Sequence, residues 1–306
     1  MTLPLLVSLV GLTSCVLVVS INFLTATRTN RSTIKKRIDL VLIYSRCLLD
    51  ILVGFSVIIY IAVIILKTLD INKVDVKTTY FVVFSSLPSA LLWPTRFLLS
   101  VFISIWRIIS LSRPQFAESS DLKIVCSTLL ILSVSIGVTD VLVFFIGCPV
   151  HFIAHPGCMA LGCMAGPCFS LYSIINRTIL FSLTFLCALI YSILICFCEI
   201  KETREKRIVE VRHHFLTIFP LMLSIFPFPY SLFSTLPKSQ IQTDYWFLLC
   251  MFNTTVFDCI PFVITFIRGA DFGATNFGPF ISTLNMLGAC FDAVVVSKIF
   301  ETHQFF

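Results

Sequence analysis

Long apolar runs, separated by short polar or basic connections, repeat along the chain at Leu3–Leu24, Leu40–Leu66, Thr79–Trp106, Ile124–Gly147, Leu171–Phe197, Phe215–Leu236, Phe247–Ile267 and Ile281–Phe300. At about 1.5 Å of rise per residue, about 20 helical residues cross the roughly 30 Å of hydrocarbon in a bilayer. The first five runs reach that length and predict five transmembrane helices. Eight runs are one more than a seven-helix bundle needs. The odd one is Phe215–Leu236, where Pro220, Pro227 and Pro229 each remove a backbone donor and clash with the preceding turn. For that run a kinked span, a re-entrant segment and a wrongly joined piece of gene model all stay open. The expected fold is all-α, a polytopic membrane bundle of seven transmembrane helices forming one domain over residues 1–306.

Composition agrees with the pattern. The 306 residues are 58% hydrophobic and 12% charged, with a mean hydropathy of +0.99, against roughly 25% charged residues in soluble domains. Such a chain cannot cover itself with polar groups, so the bilayer is its solvent. The net charge of +6 does not mark a nucleic-acid partner, because the basic residues lie in short clusters between apolar runs. That distribution is a topology signal. Of 13 cysteines, Cys15, Cys47, Cys126, Cys187, Cys196, Cys198, Cys250, Cys259 and Cys290 fall in or beside apolar runs and behave as small core residues.

Orientation follows from lysine and arginine in the short connections. The first loop has Arg28, Arg31, Lys35, Lys36 and Arg37; the third has Arg107, Arg113 and Lys123; the fifth has Lys201, Arg204, Lys206, Arg207 and Arg212. The second has only Lys67, Lys73 and Lys77, offset by Asp70 and Asp75, and the fourth has none. The odd loops are therefore expected inside and the N-terminus outside. Met1–Leu24 lacks a basic n-region, so it reads as the first span and not as a cleaved signal peptide.

Among the charges inside apolar runs are Arg46, Asp50, Arg96, Asp140, Asp258 and Asp292. Each costs roughly 2.5–3.5 kcal/mol on insertion scales and needs a compensating partner. Arg46 and Asp50 are four residues apart on one helix face and can neutralise each other. Asp50 also lies about 16 Å, and Arg96 about 15 Å, from the inner ends of their helices by the helical rise. An interhelical pair at that shared depth, joined by Asp292, is the competing arrangement. Holding the bundle together is the default role for such charges, and a proton or ion pathway is the sharper alternative.

The fourth loop carries Cys148, Cys158, Cys163 and Cys168. Outside the cell these four can form two disulfides in three possible connectivities. A metal site using them with His151 and His155 is the rival, but no C-x-x-C knuckle is present. Asn176-Arg177-Thr178 is a glycosylation sequon near the outer start of the fifth span; Asn30-Arg31-Ser32 lies inside by topology. No phosphate-binding loop, nucleophile elbow, zinc-protease helix or dinucleotide fingerprint occurs, so neither an enzyme nor a cofactor is expected.

Several motifs in order carry a resemblance. They are Lys35-Lys36-Arg37-Ile38-Asp39-Leu40, then Tyr44-Ser45-Arg46-Cys47-Leu48-Leu49-Asp50, Gly54-Phe55-Ser56, Leu87-Pro88-Ser89 with Arg96, and Arg107 with Pro114. Cys158, Gly162-Cys163, Cys168-Phe169 with Tyr172, Phe277-Gly278-Pro279-Phe280 and Leu287-Gly288-Ala289-Cys290 follow. Together they resemble nematode serpentine receptors of class BC over most of the chain. The resemblance implies a seven-helix G-protein-coupled chemoreceptor at the plasma membrane of sensory neurons, with an unknown small-molecule ligand and a heterotrimeric G protein as partners beside membrane lipid. It places Arg107 in the family's arginine motif, facing the G protein. Two departures stand out: Trp106 occupies the position where the family usually has an acidic neighbour of that arginine, and roughly Phe215–Tyr245 is inserted ahead of the sixth span. On this reading Phe247–Ile267 is the sixth span and Ile281–Phe300 the seventh. The alternatives are a small transporter or channel, for which no repeat-related halves are visible, and a non-signalling receptor paralogue.

Overall fold

The computed structural model describes residues 3–29, 38–69, 76–112, 122–148, 167–206, 240–254, 256–257 and 279–304. They form α1 (Leu3–Arg28), α2 (Ile38–Leu69), α3 (Val76–Ser112), α4 (Leu122–Leu142), α5 (Pro167–Lys206), α6 (Gln240–Thr254) and α7 (Phe280–Gln304). A π-helical turn, Val143–Gly147, continues α4. No strand occurs among the described residues, as hydrocarbon requires of a chain that must satisfy its backbone within each segment.

Among the described residues, six helices are long and apolar enough to cross a bilayer, over Leu3–Arg28, Ile38–Leu66, Phe84–Ser110, Ile124–Gly147, Leu171–Ile195 and Phe280–Glu301. The protein is thus a multi-pass membrane protein with the helical bundle expected from its pattern. α6 begins ahead of the run read as Phe247–Ile267 and covers its first part; most of the remainder, and all of Phe215–Leu236, lie outside the described residues. Helices also run past the apolar segments: α3 extends to Ser112 and α5 to Lys206, because polar residues continue a helix readily once it leaves hydrocarbon.

On α1, small and polar residues turn inward and large apolar ones outward. The buried stripe is Ser8, Gly11, Ser14, Cys15, Val18, Asn22 and Thr25, spaced by three and four residues on one face. Leu6, Leu9, Val10, Val16 and Leu17 are exposed. Lipid is as apolar as leucine, so close packing and internal hydrogen bonds decide which face meets the other helices. Gly137 shows the limit of approach: a Cβ there would lie 2.3 Å from the Leu91 carbonyl oxygen, which seats α4 directly on α3.

The helices close a ring in the order α1, α2, α3, α5, α6, α7 and back to α1, with α4 packed on the outside of α3. Successive helices alternate in direction. Asn22 near the end of α1 meets Cys47 near the start of α2, and Thr283 at the start of α7 donates to the Val7 carbonyl at the start of α1. We call the end where α1 begins the entry face and the opposite end the exit face. α3 is the most enclosed, with 61% of its span buried, against 17% for α4. Pro88 and Pro94 lie inside α3, where Ser89 and Thr95 hydroxyls donate to the carbonyls of Ser86 and Leu91.

Candidate functional site: a buried ion cluster beneath a closed cleft

At mid-bundle, Arg46 and Asp50 of α2, Arg96 of α3 and Asp292 of α7 converge, all at most 4% exposed. Arg96 Nε donates to Asp50 Oδ1 at 2.6 Å, and Arg96 Nη2 to Asp292 Oδ2 at 3.0 Å. Arg46 Nη2 donates to the same Asp292 oxygen. The cluster holds two positive and two negative groups, so its charge cancels within the buried centre of the bundle. Asp292 is the hub, because Asn253 of α6 also donates to its Oδ1 at 2.7 Å and to the Gly288 carbonyl at 2.8 Å. Four helices are joined through one carboxylate.

This geometry corrects one reading and adds one residue. Arg46 does not neutralise Asp50 within α2; its long side chain crosses to α7, and the short Asp50 side chain is held by Arg96. Asn253 carries no charge, so the pattern of intramembrane charges does not point to it. An amide within an otherwise apolar run is the signal that does.

A second ion pair lies nearer the exit face. Arg107 Nη2 is 3.0 Å from Asp39 Oδ2, both side chains buried, and the guanidinium sits 5.8 Å from the Phe247 ring centroid on α6. The acidic partner missing at Trp106 is thus supplied by the first turn of α2. Trp106 itself is buried.

Between the cluster and the entry face, Trp93, Pro94 and Phe97 of α3, Asn176, Arg177, Leu180 and Phe181 of α5, and Ile281 and Asn285 of α7 line a cleft. Its free volume is only about 10 Å³, barely room for one water. Phe97 and Phe181 close it edge to face at 5.1 Å. The Trp93 ring forms part of its wall and lies 5.1 Å from the Arg96 guanidinium, a cation–π contact that joins cleft to cluster.

At the entry face Cys148, after the π-helical turn, is bonded to Cys168 in the first turn of α5, with Cα atoms 5.7 Å apart. Cys158, Cys163, His151, His155 and Asp258 lie outside the described residues. Asp140 of α4 accepts from Tyr172 Oη at 2.7 Å and from Asn176 Nδ2 at 2.8 Å. The Asn176 amide, read from sequence as a glycan acceptor, therefore has another occupation: it sits within continuous helix and holds α5 to α4.

Residues 1–243 match the family described as serpentine type 7TM GPCR chemoreceptor Srbc. The chain belongs to that family. No curated protein matches it significantly. The Srbc match takes in α1 to α5 and the first residues of α6, so Arg46, Asp50, Arg96 and Arg107 fall within it while Asn253 and Asp292 lie beyond. Membership makes the protein a GPCR-like chemoreceptor of the membrane, and the buried charges are those of a receptor bundle.

Proposed function

We propose that the protein detects an environmental small molecule in the cleft between α3, α5 and α7 and signals to a heterotrimeric G protein at the exit face. On this reading it works as one seven-helix domain in the plasma membrane of sensory neurons, with the entry face and N-terminus outside. The first, third and fifth loops carry 13 basic residues between Arg28 and Arg212, which supports that orientation. Arg107 and its Asp39 partner lie at the signalling end.

The observation that carries the proposal is the position of Trp93, shared by cleft and cluster. Because the cleft is closed, a ligand must widen it, and widening moves Trp93 against Arg96. The ligand then binds one arrangement of the cluster better than another, which is the condition for shifting a population. No catalytic group takes part.

The test is heterologous expression with an N-terminal epitope tag and a promiscuous Gα subunit, read by calcium release across a panel of small volatile and water-soluble compounds. A response is expected that Trp93→Ala and Asn285→Ala abolish at unchanged surface level. A tag stained only after permeabilisation would overturn the orientation. Responses unaltered in both variants would remove the cleft from the proposal.

A further inference from the structure

Away from the cleft, toward the exit face, α1 and α2 form a groove of about 650 Å³. We propose that it is a binding site for an anionic phospholipid, with the headgroup at Arg28 and one acyl chain along α2.

The groove is graded like the molecule it would hold. Tyr44, Leu48 and Ile51 form one stripe of α2 at intervals of four and three residues, opposite Phe23 of α1. From Tyr44 to Ile51 the helix rises about 10 Å toward the bundle centre. The polar lining residues, Arg28 and Tyr44 among them, gather at the helix ends, and the apolar ones lie deeper. Phe23 is 58% and Leu48 43% exposed, so the deep part opens sideways toward hydrocarbon and not into the bundle. A soluble ligand would leave that part unmatched.

Charge selects the headgroup. Arg28 closes the last turn of α1, none of the described lining residues is acidic, and the sequence continues into Arg31, Lys35, Lys36 and Arg37. Basic residues at a membrane surface attract anionic headgroups. The Tyr44 ring is braced edge-on against Phe300 of α7 at 6.5 Å, and its hydroxyl makes no hydrogen bond among the described residues, which leaves it able to donate to a phosphate.

The experiment uses the full chain in mixed micelles and native mass spectrometry, with phosphatidylserine and phosphatidylcholine as matched probes, so it does not depend on membrane orientation or on a chemosensory ligand. One phosphatidylserine should be retained per receptor in preference to phosphatidylcholine. Arg28→Gln should weaken retention about fivefold, the effect of one cation near an anionic headgroup; Arg28→Lys should keep it. Leu48→Trp, which fills the apolar part, should reduce retention with the charge intact. Equal retention of both lipids, or wild-type retention in both Arg28→Gln and Leu48→Trp, would overturn the site. Displacement by inorganic phosphate or glycerophosphoserine would show an anion site that ignores acyl chains, and would overturn the lipid assignment.

Discussion

Asp292 and Asp140 each carry a carboxylate into an apolar run, yet they are satisfied differently. Asp292, 1% exposed, receives two guanidinium groups and an amide from three other helices. Asp140, half-buried between α4 and α5, receives hydrogen bonds from a phenol and an amide, both neutral, and feels the Arg177 cation through space. Depth explains the contrast. At the centre the carboxylate is fully enclosed, and directly bonded opposite charge offsets the loss of hydration; at the half-exposed flank, neutral hydrogen bonds and a more distant cation suffice. The α4–α5 edge is also tied covalently through Cys148 and Cys168, whereas the centre has no covalent link among its members. The centre can rearrange by exchanging ion pairs, while the flank is fixed.

The sharpest way to break this comparison is to neutralise each carboxylate in place. Asp292→Asn leaves Arg96 on Asp50 and strips Arg46 of its carboxylate, an uncompensated positive charge, and should cost about 3–5 kcal/mol. Surface expression should fall to a small fraction of wild type. Asp140→Asn keeps a side-chain oxygen for Tyr172 and should cost about 1 kcal/mol. Equal losses in thermal melts of the two purified variants would erase the distinction.

Next in size is Cys148→Ser, which opens a link spanning 20 residues. Loops of that length stabilise by about 3 kcal/mol in the chain-entropy account. The loss should appear as a lower melting temperature, and reductant should lower the wild type to match. A wild type indifferent to reductant would mean that the flank is held by side-chain contacts instead.

The central cluster is partly legible in the amino-acid sequence because helical rise turns residue number into depth, and Asp50 and Arg96 share one. Rotation about the helix axis is not legible there, which is why Arg46 can be assigned to Asp50 when it faces α7. Asp39 is hidden for a different reason: it adjoins the basic first loop, and only the antiparallel packing of α2 on α3 brings it to Arg107. The spans themselves are plain, since the period and length of apolar runs need no tertiary information. Three connectivities for four cysteines are indistinguishable by composition, and the choice of Cys168 for Cys148 depends on where α4 ends and α5 begins.

A double-mutant cycle sharpens the central half of the comparison. Asp50→Asn and Arg96→Gln should each be costly alone and together cost less than their sum, with a coupling of about 1–3 kcal/mol. The combined variant keeps Arg46 on Asp292, still a neutral pair. Strict additivity in surface expression and melting would mean that Asp50 and Arg96 do not share a bond. Recovery with Arg46→Gln in place of Arg96→Gln, at equal size, would make the two arginines interchangeable and the cluster a pool of charge without fixed partners.

The smallest expected effect lies at Asn176 and tests the flank most directly. Its sequon predicts a glycan, but a glycan must be attached to Nδ2, the atom that donates to Asp140 at 2.8 Å. Asn176 lies nine residues into α5, about 14 Å along its axis, and forms part of the cleft wall beside Trp93 and Phe97. Modification would require that turn to unwind and the cleft to admit a sugar, and would leave Nδ2 a single N–H with which to reach Asp140. Glycosidase treatment should therefore leave the electrophoretic mobility of the wild type unchanged, and Asn176→Gln should run with it. A mobility shift present in wild type and absent in Asn176→Gln would show that α5 begins beyond residue 176. The hydrogen bonds to Asp140 would then reduce to the phenol of Tyr172, and the flank would be a mobile edge instead of a fixed one.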